Sequence, residues 1–96
     1  MELLVAYDVS TESAEGRKRL RKVAQVCEAH GQRVQKSVFE CSLNAAELEV
    51  LMHRLWQVMD QREDSLRVYR LREPRQRYLR LLGLQPQFDL HEPLVV

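Results

Sequence analysis

Residues 2–10 read Glu2-Leu3-Leu4-Val5-Ala6-Tyr7-Asp8-Val9-Ser10, an unbroken apolar run from Leu3 to Tyr7 that stops at an acid. The run is far shorter than the roughly 20 residues a membrane-spanning helix needs. It also lacks the strict alternation of a half-buried strand. It reads as a strand, Glu2 to Val9, covered on both faces with a carboxylate at its C-terminal mouth. Leu3, Val5 and Tyr7 lie on one side, Leu4 and Ala6 on the other. Just beyond comes a dense cationic cluster, Arg17, Lys18, Arg19, Arg21 and Lys22. An acid beside many bases on a small domain suggests a surface that meets phosphates, with a divalent ion between them.

After this strand, Ser10, Thr11 and Ser13 are alternative N-caps for a helix beginning near Ala14. Leu20, Val23, Ala24 and Cys27 recur at helical spacing and supply its buried stripe, with the charges opposite. Gly31 suits the left-handed position that closes the helix. Gln32 to Leu43 holds Val34, Val38, Phe39 and Cys41 and is read as two short strands bent near Lys36-Ser37. Asn44 with Glu47 fits a capping box for a second helix, whose stripe is Leu48, Leu51, Met52, Leu55 and Met59. Ser65 to Arg72 is a further strand, Leu66 and Val68 pointing one way and Arg67, Tyr69 and Leu71 the other.

The order strand, helix, two strands, helix, strand is the ferredoxin-like α+β plan, with both helices on one face of an antiparallel sheet. The helices cover one face only, yet the first strand is apolar on both. A second copy of the sheet is the simplest cover, which predicts a face-to-face homodimer. The expected organisation is a core over residues 1–73 and an extension over 74–96 that packs on the core or on the partner subunit. In that extension Pro74 ends the strand, Arg75 to Leu82 forms a short helix closed by Gly83, and Phe88, Leu90 and Leu94-Val95-Val96 supply a late strand for a sheet edge.

At 96 residues and 45% hydrophobic content, the composition fits one ordered domain rather than a disordered chain. Met1-Glu2 lacks the basic flank and cleavage site of a signal peptide, so the expected location is the cytoplasm. Cys27 and Cys41 stand on different elements without metal-ligand spacing and read as small buried hydrophobes. The net charge of +1 conceals segregation: from Arg17 to Lys36 seven bases face Glu28 alone, and from Leu66 to Leu82 six arginines face Glu73 alone. An acidic stretch with Glu40, Glu47, Glu49, Asp60, Glu63 and Asp64 separates them. The two basic segments could form one positive face that attracts a polyanion.

Among candidate chemical groups Asp8 is the sharpest. It can cap the following helix, or bind metal if a two-fold axis brings two copies together, since Mg²⁺ is commonly held by one or two carboxylates with water and substrate phosphates. Gly16 stands alone, so no phosphate-cradling glycine loop follows the strand. His30, His53 and His91 are scattered, and His53 reads as a surface residue. Ser37 either contacts a phosphate or ends a strand. Trp56 and Phe39 read as packing residues rather than base-stacking platforms.

Tyr7-Asp8-Val9-Ser10 at a strand end, the basic helix after it, and Arg33-Val34-Gln35-Lys36-Ser37-Val38-Phe39-Glu40 together resemble the small CRISPR-associated adaptation endonuclease family, the dimeric partner of the CRISPR integrase. Asp64-Ser65-Leu66-Arg67-Val68-Tyr69 is similar in style, and the likeness covers roughly residues 1–72. The resemblance implies a ferredoxin-like homodimer with Asp8 as its catalytic, metal-binding acid for Mg²⁺ or Mn²⁺. It implies nucleic-acid contacts for Tyr7, Arg17, Arg19, Arg33, Ser37 and Phe39. Family members are described as metal-dependent endonucleases on RNA or double-stranded DNA, and as bridges between integrase dimers holding a short duplex. A ferredoxin-like regulatory dimer binding a small ligand is the alternative from another class, and the clustered arginines argue against it.

Overall fold

A computed structural model describes residues 1–85. The apolar opening run becomes strand β1 (Glu2–Asp8), followed by helix α1 (Ala14–Glu28), strands β2 (Gln32–Gln35) and β3 (Val38–Ser42), helix α2 (Ala45–Val58), strand β4 (Ser65–Arg70) and a short helix α3 (Arg75–Tyr78). The sheet order is β2-β3-β1-β4, antiparallel throughout, with β1 central. This is the expected ferredoxin-like α+β arrangement: Leu3, Val5 and Tyr7 of β1 meet the helices, while Leu4 and Ala6 turn to the other face. A central strand has neighbours on both sides, and every inward residue meets the helices. The expected late strand, with Phe88, Leu90 and Leu94 to Val96, lies outside the described residues.

Both helices start where local chemistry starts them. Ser13 is the N-cap of α1, its hydroxyl accepting from the Gly16 N–H at 3.0 Å. The Asn44–Glu47 capping box forms in full, with both reciprocal hydrogen bonds at 2.8 Å. Gly31, by contrast, is not left-handed: Gly83, at φ 76°, is the one positive-φ glycine among the described residues. Gly31 is needed for room instead. A Cβ there would collide with Cys41 Sγ and lie 2.5 Å from the Glu40 carbonyl oxygen, because the turn from α1 into β2 runs against β3. Gly83 follows a helix that ends at Tyr78, four residues short of the expected Leu82.

The core lies between helices and sheet. Leu3, Val5, Tyr7, Phe39 and Cys41 point inward from β1 and β3 to meet Val23, Val26 and Cys27 of α1 and Leu51 and Leu55 of α2. Cys27 and Cys41 are free and buried, as expected, and burial pushes the Cys27 thiol up to about 12. The α2 stripe is narrower than its spacing suggests: Met52 is 39% exposed and Trp56, expected as a packing residue, is 65% exposed. Both border a groove with Leu66 of the edge strand β4, where the helix overhangs the end of the sheet.

The second sheet face carries Leu4, Ala6 and Asp8 of β1 beside Val38 and Glu40 of β3 and Arg67 and Tyr69 of β4. No helix of the core covers it. The described part of the C-terminal extension crosses its Glu2 end, where Arg75 donates to Glu2 at 2.7 Å and approaches Glu40 at 3.4 Å. Leu4, Leu71, Tyr78 and Leu79 border a groove there. The Asp8 end has no such cover among the described residues.

Candidate metal and nucleic-acid site

Asp8 is the last residue of β1, and pleat alternation turns it to the face opposite the helices. It is exposed, and among the described residues its carboxylate enters no hydrogen bond or ion pair. Its partner across the ladder is Ser65, the first residue of β4. The helix-capping role open to Asp8 is filled by Ser13. No group of three His, Cys, Asp or Glu side chains among the described residues could hold a metal ion. One free, exposed carboxylate fits Mg²⁺ or Mn²⁺ only in the sparse mode, in which water and substrate phosphates supply the remaining oxygens.

Antiparallel topology assembles the surroundings. The C-terminal end of β1 lies at the N-terminal ends of β3 and β4 and of α1, so Lys36, Ser37, Arg17, Lys18 and Arg67 share the Asp8 end of the domain. Arg17 is exposed and donates from Nη1 to the Thr11 carbonyl oxygen at 3.1 Å, steadying the loop after Asp8. Ser37 is half-buried, and its carbonyl oxygen accepts from the Tyr7 N–H at 3.1 Å, extending the ladder beside Asp8. Arg70, Arg72 and Arg75 lie at the opposite, Glu2 end, since β4 pairs Arg70 with Leu3. The second basic segment is therefore split, Arg67 joining the first at the Asp8 end while Arg70, Arg72 and Arg75 lie at the other.

Two residues that the resemblance assigns to nucleic-acid contacts are enclosed, and for Phe39 this matches its reading as a packing residue. Phe39 has no exposed surface. Its ring packs 6.1 Å from that of Tyr7, and the Arg33 guanidinium lies 5.1 Å from its centroid. Tyr7 is 6% exposed, its hydroxyl donating to the Lys36 carbonyl oxygen at 3.4 Å. Burial, with the Cys27 thiol beside it, lifts the Tyr7 phenol above its ordinary value. Both rings point into the core because their strand positions alternate inward. They build the floor beneath the site. Arg33 approaches Glu28 at 3.6 Å and is half-buried.

Arg19 is also turned inward, by a residue that sequence reading passed over. Its Nε donates to Asp64 Oδ2 at 2.8 Å and its Nη2 to Asp64 Oδ1 at 3.3 Å, while Glu63 lies 3.7 Å away. The Asp64 side chain is fully buried. Burial alone would raise its pKa. The Arg19 hydrogen bond, the N–H groups of Asp60 and Ser10 and the Arg19 charge outweigh that effect and hold the carboxyl below its usual range. In the sequence Asp64 is one of several acids in a polar stretch, and only its position directly before a strand sets it apart.

The family model for CRISPR associated protein Cas2 matches residues 1–78. The chain is 58% identical over 96 residues to CRISPR-associated endoribonuclease Cas2 1 of Moorella thermoacetica, covering 100% of both chains. It is 45% identical over 95 residues to CRISPR-associated endonuclease Cas2 of Halalkalibacterium halodurans, covering 99% of each. The crystal structure of Streptococcus pyogenes Cas2 superposes with a TM-score of 0.78 at 53% identity, over 86% of this chain and 100% of that one. A common strand-and-helix order, a family match through β4 and α3, and full-length relatives lead to one conclusion: the chain belongs to the CRISPR-associated protein Cas2 family.

Proposed function

We propose that this protein is a metal-dependent endonuclease of CRISPR adaptation, cleaving phosphodiesters in RNA or double-stranded DNA, and that it bridges integrase subunits around a short duplex during spacer acquisition. The observation that carries the reading is the free, exposed carboxylate of Asp8 at the uncovered end of the outer sheet face. In the proposed homodimer two such faces stack, and the two-fold axis passes near the β1 ends, so that each subunit contributes one Asp8. Among the described residues α1 and α2 pack on the opposite face from Ala6 and Val38, and α3 reaches only the Leu4 end, which supports this packing. The names of relatives as endoribonuclease and endonuclease support the chemistry. The cytoplasm, where nucleic acid is accessible, is the proposed location, and no described helix is long and apolar enough to cross a membrane.

Bound Mg²⁺ or Mn²⁺ would offset phosphate charge and make a bound water more acidic. The protein supplies the rest. Asp8 holds the ion and, being on a central strand, holds it at a fixed place. Arg17, Lys18, Lys36 and Arg67 draw phosphates towards that end without reading sequence. Ser37, in the turn between β2 and β3, offers its hydroxyl to a phosphate. The buried Tyr7 and Phe39 rings keep the strand ends from shifting.

The test is Asp8→Asn, which preserves shape and removes the charge. Cleavage of a short RNA or duplex DNA should be lost, as it should in excess chelator, while sedimentation still reports a dimer. Cleavage by Asp8→Asn at the wild-type rate, or a wild-type monomer at micromolar concentration, would overturn the proposal.

A further inference from the structure

Asp64 binds three parts of the fold with one buried carboxylate. Its Oδ1 accepts the Ser10 N–H at 3.2 Å, and its Oδ2 accepts the Asp60 N–H at 2.9 Å and Arg19 Nε at 2.8 Å. Those donors belong to the loop after β1, the loop after α2, and α1. Two of Asp64's connections lead to Asp8. Ser10 is two residues beyond Asp8 along the chain, and Ser65, next to Asp64, is the residue opposite Asp8 across the ladder. The same residue is confined on its other side as well. A Cβ on Gly16 would collide with the Ser10 carbonyl oxygen, so the first turn of α1 lies directly against Ser10 and tolerates only glycine there. Ser10 is therefore held through its N–H by Asp64 and through its C=O side by α1.

A buried carboxylate is costly unless every lone pair is used, and an apolar residue would close this junction as well for stability alone. Its hydrogen bonds instead concentrate on the backbone that leaves Asp8. We infer that Asp64, with Arg19, is the positioning pair of the nuclease site: it sets the direction of Asp8 without touching metal or substrate. Arg19 thereby works from inside the protein rather than on the phosphate backbone. This inference rests on the reading of Asp8 as the metal-holding acid.

The experiment compares wild type, Asp8→Asn, Asp64→Asn and Arg19→Lys. Asp64→Asn keeps the shape and removes the charge; Arg19→Lys keeps the charge and removes the two-pronged grip. Both should lower kcat by about tenfold to a hundredfold, as expected for a small misplacement of a reacting group, while KM for a short duplex changes little. Both should also speed hydrogen exchange at the Ser10 amide in metal-free protein, a readout independent of cleavage. Wild-type kcat in a folded Asp64→Asn variant, with Asp8→Asn inactive, overturns the positioning role and leaves the Asp8 reading standing. Full activity in Asp8→Asn overturns that reading, and positioning of the reaction with it. Unchanged Ser10 exchange in both variants overturns the clamp itself. If Asp64→Asn does not fold, Arg19→Lys carries the same comparison.

Discussion

Phe39 stands in the motif that suggests nucleic-acid contact, Arg33 to Glu40, but its ring has no exposed surface and stacks on Tyr7. Its contribution is packing, and truncation should act through stability. Phe39→Ala should cost about 3–5 kcal/mol in urea unfolding, the usual range for emptying a buried aromatic site. Loss of duplex binding with unchanged stability would contradict that assignment. The Cys27 thiol, raised to about 12 by burial, should resist alkylation at pH 8 until the protein unfolds. Alternation along β3 does make Phe39 inward-facing from sequence alone, once the sheet face towards the helices is known. The residues themselves read Phe39 as packing, and the contact comes only with the resemblance, because nothing local says which face meets the helices.

At the level of elements, caps and spacing were legible and pairings were not. Asn44 and Glu47 act within one helical turn of each other, so their spacing is enough, whereas Ser10, Thr11 and Ser13 are equal candidates until the fold selects Ser13. The bend at Lys36-Ser37 likewise falls where expected, between β2 and β3. The Arg19–Asp64 pair joins residues 45 apart and has no local signature. It does have a pH signature. Because the folded Asp64 carboxyl is held below its ordinary value, its stabilisation is fully present above the unfolded pKa of about 3.9 and is lost as pH falls through the lower folded value. The stability difference between wild type and Asp64→Asn should therefore be constant near neutrality and narrow below about pH 4, measured by urea unfolding across that range.

Across the whole molecule the charge distribution bears on partners more than the net value of +1 does. Arg17, Lys18, Lys36 and Arg67 gather at the Asp8 end, while Arg75 is neutralised by Glu2 and Glu40 at the other. Duplex binding through the first group should weaken more than about tenfold between 50 and 200 mM salt, as counterion release requires for several phosphate contacts. A flat salt response would point away from nucleic acid. Lys36→Glu should reduce the affinity and the salt slope together, whereas Arg75→Glu should act on stability.

By itself the sequence determined the elements, their order and hence the fold, because apolar period, caps and turn residues act over a few bonds. It also singled out Asp8, since an acid ending a doubly apolar strand is conspicuous without any partner. Tertiary structure decided which sheet face Asp8 joins, that Trp56 is exposed while Phe39 is enclosed, that the arginines divide between two ends, and that Asp64 secures the loop after β1. Those outcomes depend on contacts between residues far apart in the chain, where the same side chain can be buried, paired or free according to what the fold brings to it.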